Sequence, residues 1–235
     1  MKDINTEHGE KFTFNENVSS CFLDMLKRSI PNHDIMRDLT TKVASFYMNN
    51  DSKIMDIGTS TGEVIHNLLK LYPTASFIGL EQSDAMINEA QERFKNNNNV
   101  TIKKHDLRDS IDNIDADYID LIVSSLTIQF TPIEHRLKII QSIYNNLKDN
   151  GVFLFIEKVL GSSAQIDSTL IDIYYDTKRS NGYSEEEIQR KRLALEGVLV
   201  PVTAKWNEEL MKTAGFKQID CFWRYLNFSG WVAIK

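Results

Sequence analysis

Cysteine is almost missing from this chain. Its 235 residues hold only Cys21 and Cys221, too few for a disulfide framework or a cysteine-rich zinc site, and the sparse usage suits a reducing cytoplasm. The histidines, His8, His33, His66, His105 and His135, show no i,i+4 pair and no cysteine neighbour, so no metal site is expected. There is no basic surplus: 27 Lys+Arg against 33 Asp+Glu leave a net charge of −6. That balance argues against a surface devoted to phosphates, and direct nucleic-acid binding is not expected. No apolar run approaches the roughly 20 residues of a membrane-spanning helix. The start, MKDINTEHGEKF, is polar and lacks the apolar stretch of a signal peptide. What is present is ordinary for a globular protein, 42% hydrophobic and 26% charged residues. The length favours a single domain over residues 1–235 with a sizeable core.

The hydrophobic pattern organises the chain. Residues 16–50 read as two helical pieces. Val18, Phe22, Met25 and Ile30 mark one face, Pro31 interrupts, and Ile35, Leu39, Val43 and Tyr47 recur at every fourth position. This N-terminal cap, residues 1–50, precedes the first strand and is expected over the ligand edge of the sheet. From Lys53 onward strands and helices alternate. The helical faces are Val64, Ile65, Leu68 and Leu69, then Met86, Ala90 and Phe94 behind a Ser83 cap, then Ile133, Leu137, Ile140, Tyr144 and Leu147 behind Thr131-Pro132. The strands are predicted at Ile54–Ile57, Ser76–Leu80, Val100–Ile102, Tyr118–Ser124 and Val152–Ile156. Repeated βα units of this kind predict a parallel sheet covered on both faces. Residues 160–200 carry a helical insertion with helices at 165–180 and 184–196, the second opened by a Ser184/Glu187 capping box. A helix near 204–214 stops at Gly215, and strands 218–225 and 230–234 close the chain as an antiparallel pair. The prediction is an α/β fold: a doubly wound, mainly parallel, Rossmann-like sheet of seven strands in the class I methyltransferase arrangement, with its helical insertion before the last two strands.

Lys53 to Leu69, KIMDIGTSTGEVIHNLL, is the most informative segment. A strand breaks into Gly58-Thr59-Ser60-Thr61-Gly62, a helix follows, and the next strand ends on Glu81, nineteen residues after Gly62. In a doubly wound fold the glycines let the backbone approach a ligand, and the acidic strand end accepts ribose hydroxyl protons. The loop lacks the full G-x-G-x-x-G fingerprint and a Lys-Ser/Thr ending. An adenosyl ligand without phosphates, S-adenosylmethionine, therefore fits better than a dinucleotide or a triphosphate. Asp106, just past the third strand, is placed to accept from an adenine amino group, and Ser124 and Ser125 end the fourth strand at the same sheet edge.

Each of these features also has a plainer reading: a ligand-free βα turn, a solvated acid, a cap, turn chemistry. The run Arg190-Lys191-Arg192 reads by default as a solvated face. The loop also matches the G-x-S-x-G elbow of α/β-hydrolases. The residues before it look helical, however, and no histidine follows His135 to complete a triad.

Four segments resemble the carboxy-S-adenosyl-L-methionine synthase family, a branch of the class I methyltransferase fold. They are Phe12-Thr13-Phe14-Asn15-Glu16-Asn17-Val18 with Phe22 to Pro31; Asp56 to Gly62; Leu126-Thr127-Ile128-Gln129-Phe130; and Asp176-Thr177-Lys178-Arg179-Ser180-Asn181-Gly182-Tyr183-Ser184, running into Glu187-Ile188 and Lys191-Arg192. The resemblance extends from about residue 12 to the C-terminus, and the first and fourth segments are its most specific. It implies an enzyme that converts S-adenosylmethionine and prephenate into carboxy-S-adenosylmethionine and phenylpyruvate, the product serving a separate enzyme that carboxymethylates the wobble uridine of tRNA. The sulfonium acidifies its methyl protons, a carbanion released by decarboxylation removes one, and the ylide captures the carbon dioxide. The resemblance puts Arg192 in the catalytic position, pairing with the new carboxylate, and leaves Arg190 and Lys191 solvated. By the same resemblance Gly58, Thr59 and Ser60 line the methionine and ribose portion, Glu81 and Gln82 take the ribose end, Asp106 and Leu107 bound the adenine, and His33 and Ser125 fall at two further ligand positions. The family has aspartate where this chain has Glu81, asparagine for Ser125, tyrosine for His33, and usually Gly-Cys-Ser where this loop reads Gly-Thr-Ser. It also implies a homodimer. The rival expectations are a small-molecule methyltransferase of the same fold, a relative making the same carboxylated product for another pathway, and a non-catalytic adenosyl-binding subunit.

Overall fold

The computed structural model describes residues 11–111, 114 and 118–235. Residues 1–10, the start of the predicted cap and the site of His8, lie outside the described residues. Three short helices open the chain: α1 (Glu16–Ser19), α2 (Phe22–Ser29) and α3 (His33–Ser45). The alternating body follows as β1 (Lys53–Ile57), α4 (Glu63–Leu71), β2 (Ser76–Glu81), α5 (Asp84–Phe94), β3 (Val100–Lys104), β4 (Ile119–Ser125), α6 (Ile133–Asn146) and β5 (Leu147–Leu160). The insertion supplies α7 (Ala164–Ser180) and α8 (Glu185–Leu195). The chain ends with β6 (Val202–Thr203), α9 (Ala204–Ala214), β7 (Gln218–Tyr225) and β8 (Phe228–Ile234).

The sheet order is β3-β2-β1-β4-β5-β8-β7, parallel through β5 and antiparallel for the last two strands. This is the predicted seven-stranded path. To it the structure adds the two-residue β6, paired with Val159 and Leu160 at the end of β5. β5 is longer than its apolar run suggests. Ile119 faces Leu147 but Leu121 faces Val152, so the residues between bulge out around Asn150 at φ +64°.

Period-two alternation divides the core. Val152, Leu154 and Ile156 of β5 pack on the face covered by α3 and α4, whereas Phe153 and Phe155 pack on the face covered by α6 and α9. Both faces are dry, which is why the interior strands read as unbroken apolar runs. Local signals set the helix ends. Ser83 and Ser184 accept from the backbone N–H groups of Met86 and Glu187, Glu187 answers with a bond from the Ser184 N–H at 2.7 Å, and Gly215 terminates α9 at φ +123°.

Two predicted helix faces are rotated from those observed. On α3 the buried row is Met36, Thr40 and Ala44, while Ile35 is 60% exposed and Tyr47 lies on the surface beyond the helix. Thr40 and Ala44 let α3 approach α4, and the Thr40 hydroxyl is satisfied by the Met36 carbonyl at 2.8 Å. On α6, Ile133 is exposed and Arg136 is buried. The Arg136 guanidinium donates to the carbonyls of Gln129, Thr131 and Val200 at 2.8 to 3.1 Å, tying the loop after β4 to the segment before β6.

No helix among the described residues is long and apolar enough to cross a membrane, and no group of three His, Cys, Asp or Glu among them is arranged to hold a metal ion.

Candidate functional site

The site is built on the turn after β1. Gly58 at φ +70° and Gly62 at φ +81° take the left-handed conformation that side chains resist, and Ser60 joins them at φ +51°. A Cβ on Gly58 would drive into the Thr127 side chain. The Gly58 and Thr59 N–H groups donate to the Leu80 carbonyl at 2.8 and 2.9 Å, so the loop folds back against the end of β2.

Below it, Asp56 is buried and accepts the Thr59 hydroxyl at 2.7 Å. Burial pushes this carboxyl up to about 7; the Thr59 hydrogen bond opposes the rise and the nearby Glu81 charge adds to it.

Glu81 closes the loop from the other side. Its Oε2 accepts from the Ser60 N–H at 2.9 Å, and its Oε1 accepts from the N–H groups of Gln82 and Ser83 at 2.8 and 2.9 Å. One carboxylate thus joins the glycine loop to the entry of α5. The extra methylene of glutamate gives it the length to fold back over its own strand end.

Gln82 donates to Asp106 Oδ2 at 3.1 Å. Asp106 also receives Arg108 through both the backbone N–H and the guanidinium, and the Arg108 hydrogen bond holds its carboxyl below the usual range.

Beyond β4, Leu126 sits at φ +58°. The N–H groups of Thr127 and Ile128 donate to buried Glu157 at 3.2 and 3.1 Å, and burial pushes that carboxyl up to about 8. Gln129 supports the same turn, its Oε1 accepting the Lys158 backbone N–H at 2.8 Å.

Most of these groups border one cavity of about 730 Å³ across the carboxyl ends of the strands, within the range of small-molecule sites and at the switch point of a doubly wound sheet. His33, Gly58, Thr59, Ser60, Glu81, Gln82, Asp106, Leu107 and Ser125 all line it. Residues between Phe12 and Arg37 supply part of its lining. Phe14 packs edge-on against Phe22 and Phe130, its carbonyl accepts the Ser83 hydroxyl at 2.5 Å, and the Phe12 N–H donates to Ala194 of α8 at 2.9 Å. His33 is buried at the start of α3, where burial first and the Arg37 charge second push it down to about 4. It is a neutral imidazole at physiological pH.

Arg192 does not line the cavity of its own chain. It is exposed on α8 and donates to Gln189 at 2.9 Å. Lys191, expected in solvent, is the residue that turns inward, donating to the Ser29 hydroxyl and the Tyr183 hydroxyl at 3.0 and 3.1 Å. Consecutive helical positions differ by about 100° in direction, and the packing of α8 on α2 and the α7–α8 turn selects Lys191. Sequence reasoning also missed Arg108, the partner of Asp106, and two further lysines of the lining, Lys158 and Lys178. The match of Ser60 to a hydrolase nucleophile has no support. Its hydroxyl contacts the Gly58 carbonyl at 3.4 Å, and no histidine among the described residues bonds to it.

Residues 48–217 match a family model described as "Methyltransferase domain". The carboxy-S-adenosyl-L-methionine synthase of Nautilia profundicola is 36% identical over 234 residues, covering 100% of this chain and 99% of its own. The chain belongs to the carboxy-S-adenosyl-L-methionine synthase family. The synthase from Nitratiruptor sp. is also 36% identical, over 96% of this chain and 94% of its own, and that of Methylococcus capsulatus is 33% identical over 96% and 94%. Among solved structures, an O-methyltransferase family protein from Burkholderia thailandensis aligns with a TM-score of 0.65 at 12% identity, and human N-acetylserotonin methyltransferase in complex with S-adenosylmethionine with 0.61 at 15%. The alignments cover 94% of this chain but 60% and 56% of theirs. They show that this chain has the class I methyltransferase fold.

Proposed function

We propose that this chain makes carboxy-S-adenosyl-L-methionine from S-adenosylmethionine and prephenate, releasing phenylpyruvate, in the cytoplasm, and that the product serves as a carboxymethyl donor for a tRNA wobble uridine or a related acceptor. The full-length relatives carry this reading.

The residues fit an adenosyl ligand. The glycine turn at Gly58 and the loop it opens line the cavity, where the backbone can approach a ligand closely. Glu81, Gln82, Asp106 and Leu107 line one cavity; there Glu81 and Gln82 would take the ribose, and Asp106 and Leu107 would bound the adenine. The chemistry balances without a metal or redox cofactor. When prephenate loses carbon dioxide, its ring becomes aromatic and expels its hydroxyl as hydroxide. Hydroxide, rather than a ring carbanion, then takes a proton from the sulfonium methyl and leaves as water, and the methyl carbon bonds to the carbon dioxide. The aromatic lid of Phe14, Phe22 and Phe130 would keep bulk water from that carbon.

The resemblance gives Arg192 the new carboxylate. Because Arg192 faces away from its own cavity, this assignment requires a second copy of the chain to present it, and a homodimer is part of the proposal.

Mass spectrometry of the ligand that co-purifies with the protein tests the main reading. The expected species is heavier than S-adenosylmethionine by one carbon dioxide. S-Adenosylhomocysteine as the only product, with no carboxylated species formed from prephenate, would replace the proposal with a methyltransferase. For Arg192, the R192A chain should lose the carboxylated ligand yet bind S-adenosylmethionine. Mixing it with a G58A chain, defective in its own crevice but intact at Arg192, should restore synthesis. Retention of the carboxylated ligand by R192A alone would remove Arg192 from the site.

A further inference from the structure

One lobe of the cavity is markedly cationic, and the proposed adenosyl contacts do not use it. Lys158 stands at the end of β5, Lys178 on α7 and Lys191 on α8, and all three line the cavity. They converge on two tyrosine rings. The ammonium groups of Lys158 and Lys178 lie 4.9 and 4.8 Å from the centre of the Tyr174 ring, and Lys178 and Lys191 lie 5.7 and 5.1 Å from that of Tyr183. Lys178 is only 5% exposed.

Among the described residues the Lys158 ammonium has no ion pair and no side-chain hydrogen bond. The adjoining Glu157 faces the other way, onto the N–H groups of Thr127 and Ile128, and Asp167 accepts the Gly161 N–H at 2.7 Å. Burial pushes the Lys158 ammonium down to about 8, and the Asp167 charge opposes the fall. A carboxylate entering the lobe would meet the Lys158 ammonium in a setting where an ion pair is stronger than in water.

We propose that Lys158, Lys178 and Lys191, arranged around Tyr174 and Tyr183, form the subsite for an aromatic carboxylic co-substrate and hold the carboxylate that it keeps rather than the one that it loses. The inference rests on the proposed synthase reading and names the residues that would bind its second substrate. The distinction between the two carboxylates follows from the chemistry. Charge drains from a leaving carboxylate in the transition state, so a strong ion pair to it would stabilise the ground state and slow the reaction. Three cations are productive only on the carboxylate whose charge is unchanged. Tyr174 also lines the cavity and gives the co-substrate an aromatic neighbour beside the ammonium groups, while the buried Tyr183 ring holds Lys178 and Lys191 in place.

The test is calorimetric titration of the S-adenosylhomocysteine complex with prephenate, with phenylpyruvate, and with phenylsuccinate, an aromatic dicarboxylate that cannot react. Wild type should bind all three. Lys158→Gln and Lys191→Gln should each weaken them about ten- to a hundredfold, the scale of one charge-assisted hydrogen bond. S-Adenosylhomocysteine affinity should stay within about twofold, which also serves as the folding control. Lys178→Gln should behave in the same way. Because it replaces a buried group, its result counts when S-adenosylhomocysteine binding is retained, and the two other variants carry the test when it is not. Equal losses for prephenate and phenylpyruvate support the subsite as stated, whereas a loss for prephenate alone overturns the assignment to the retained carboxylate. Unchanged affinities in the variants overturn the subsite even if wild type makes carboxy-S-adenosylmethionine. Lysine-dependent phenylsuccinate binding without turnover of prephenate would sustain the subsite and sink the synthase reading. If wild type binds none of the three, the subsite is wrong.

Discussion

Replacing Glu81 by glutamine is the sharpest probe of the adenosyl end of the cavity. The carboxylate takes three backbone N–H groups, two on Oε1 from Gln82 and Ser83 and one on Oε2 from Ser60. A carboxamide has one acceptor oxygen and one NH₂ group. The orientation that loses least keeps the oxygen on Gln82 and Ser83 and turns the NH₂ toward the Ser60 N–H, donor against donor. The glycine loop then loses its side-chain tie to the end of β2, while the Gly58 and Thr59 bonds to Leu80 remain. The unpaired N–H costs about 1–3 kcal/mol, at the lower end here because Ser60 is only half-buried. A destabilisation near 1 kcal/mol corresponds to a melting point lower by about 2–4 °C for a chain of this size.

The effect on binding is larger. A ribose hydroxyl that donated to a charged acceptor would meet a neutral one, or a donor, and lose about 1.5–3 kcal/mol. The Kd for S-adenosylmethionine should therefore rise about ten- to a hundredfold. Calorimetry with S-adenosylmethionine, and with an analogue lacking the ribose 2′- and 3′-hydroxyls, separates the causes, because the analogue should bind wild type and E81Q nearly alike. If E81Q binds S-adenosylmethionine as wild type does, or if the analogue suffers the same loss, Glu81 is a structural staple and not the ribose acceptor.

Two further predictions concern the same loop. Gly58→Ala forces a side chain into the left-handed region at φ +70° and onto the stiff, β-branched Thr127. It should cost at least ~1–2 kcal/mol from backbone strain alone and abolish ligand retention. Combining it with Thr127→Ala should recover the steric part of the loss in a melting experiment but not the strain. Asp56→Asn should change the pH dependence of stability. Because the folded carboxyl is raised to about 7, the folded state holds the proton that the unfolded chain releases, so this group's contribution falls as pH rises from the ordinary carboxylate range to about 7. At roughly 1.4 kcal/mol per unit the wild type gives up about 4 kcal/mol across that window. Asparagine escapes this loss but adds an amide hydrogen with no partner, at about 1–3 kcal/mol. In urea unfolding D56N should therefore gain on wild type by about 1–3 kcal/mol near pH 8 and show no gain near pH 4. A difference that stays flat with pH would refute the raised carboxyl.

What the amino-acid order determined by itself is whatever short-range physics controls. Glycines that must take positive φ located the loop at Gly58 and Gly62, alternation located the strands, and Ser184 with Glu187 announced the start of α8. Each depends on residues a few positions apart, so each is legible without the fold, and the position of Glu81 across from the loop follows from the βαβ unit. Tertiary packing decided the rest. The buried side of α3 is the row Met36, Thr40 and Ala44, not the most apolar row. The cationic lobe draws on the end of one strand and on two helices of an insertion, and nothing local brings Lys158, Lys178 and Lys191 together. The adjacent Lys191 and Arg192 carry the same charge sign, yet one points into the cavity and its neighbour away from it. The rotation of a helix about its axis is chosen by the surface it packs against, and that surface comes from distant parts of the chain.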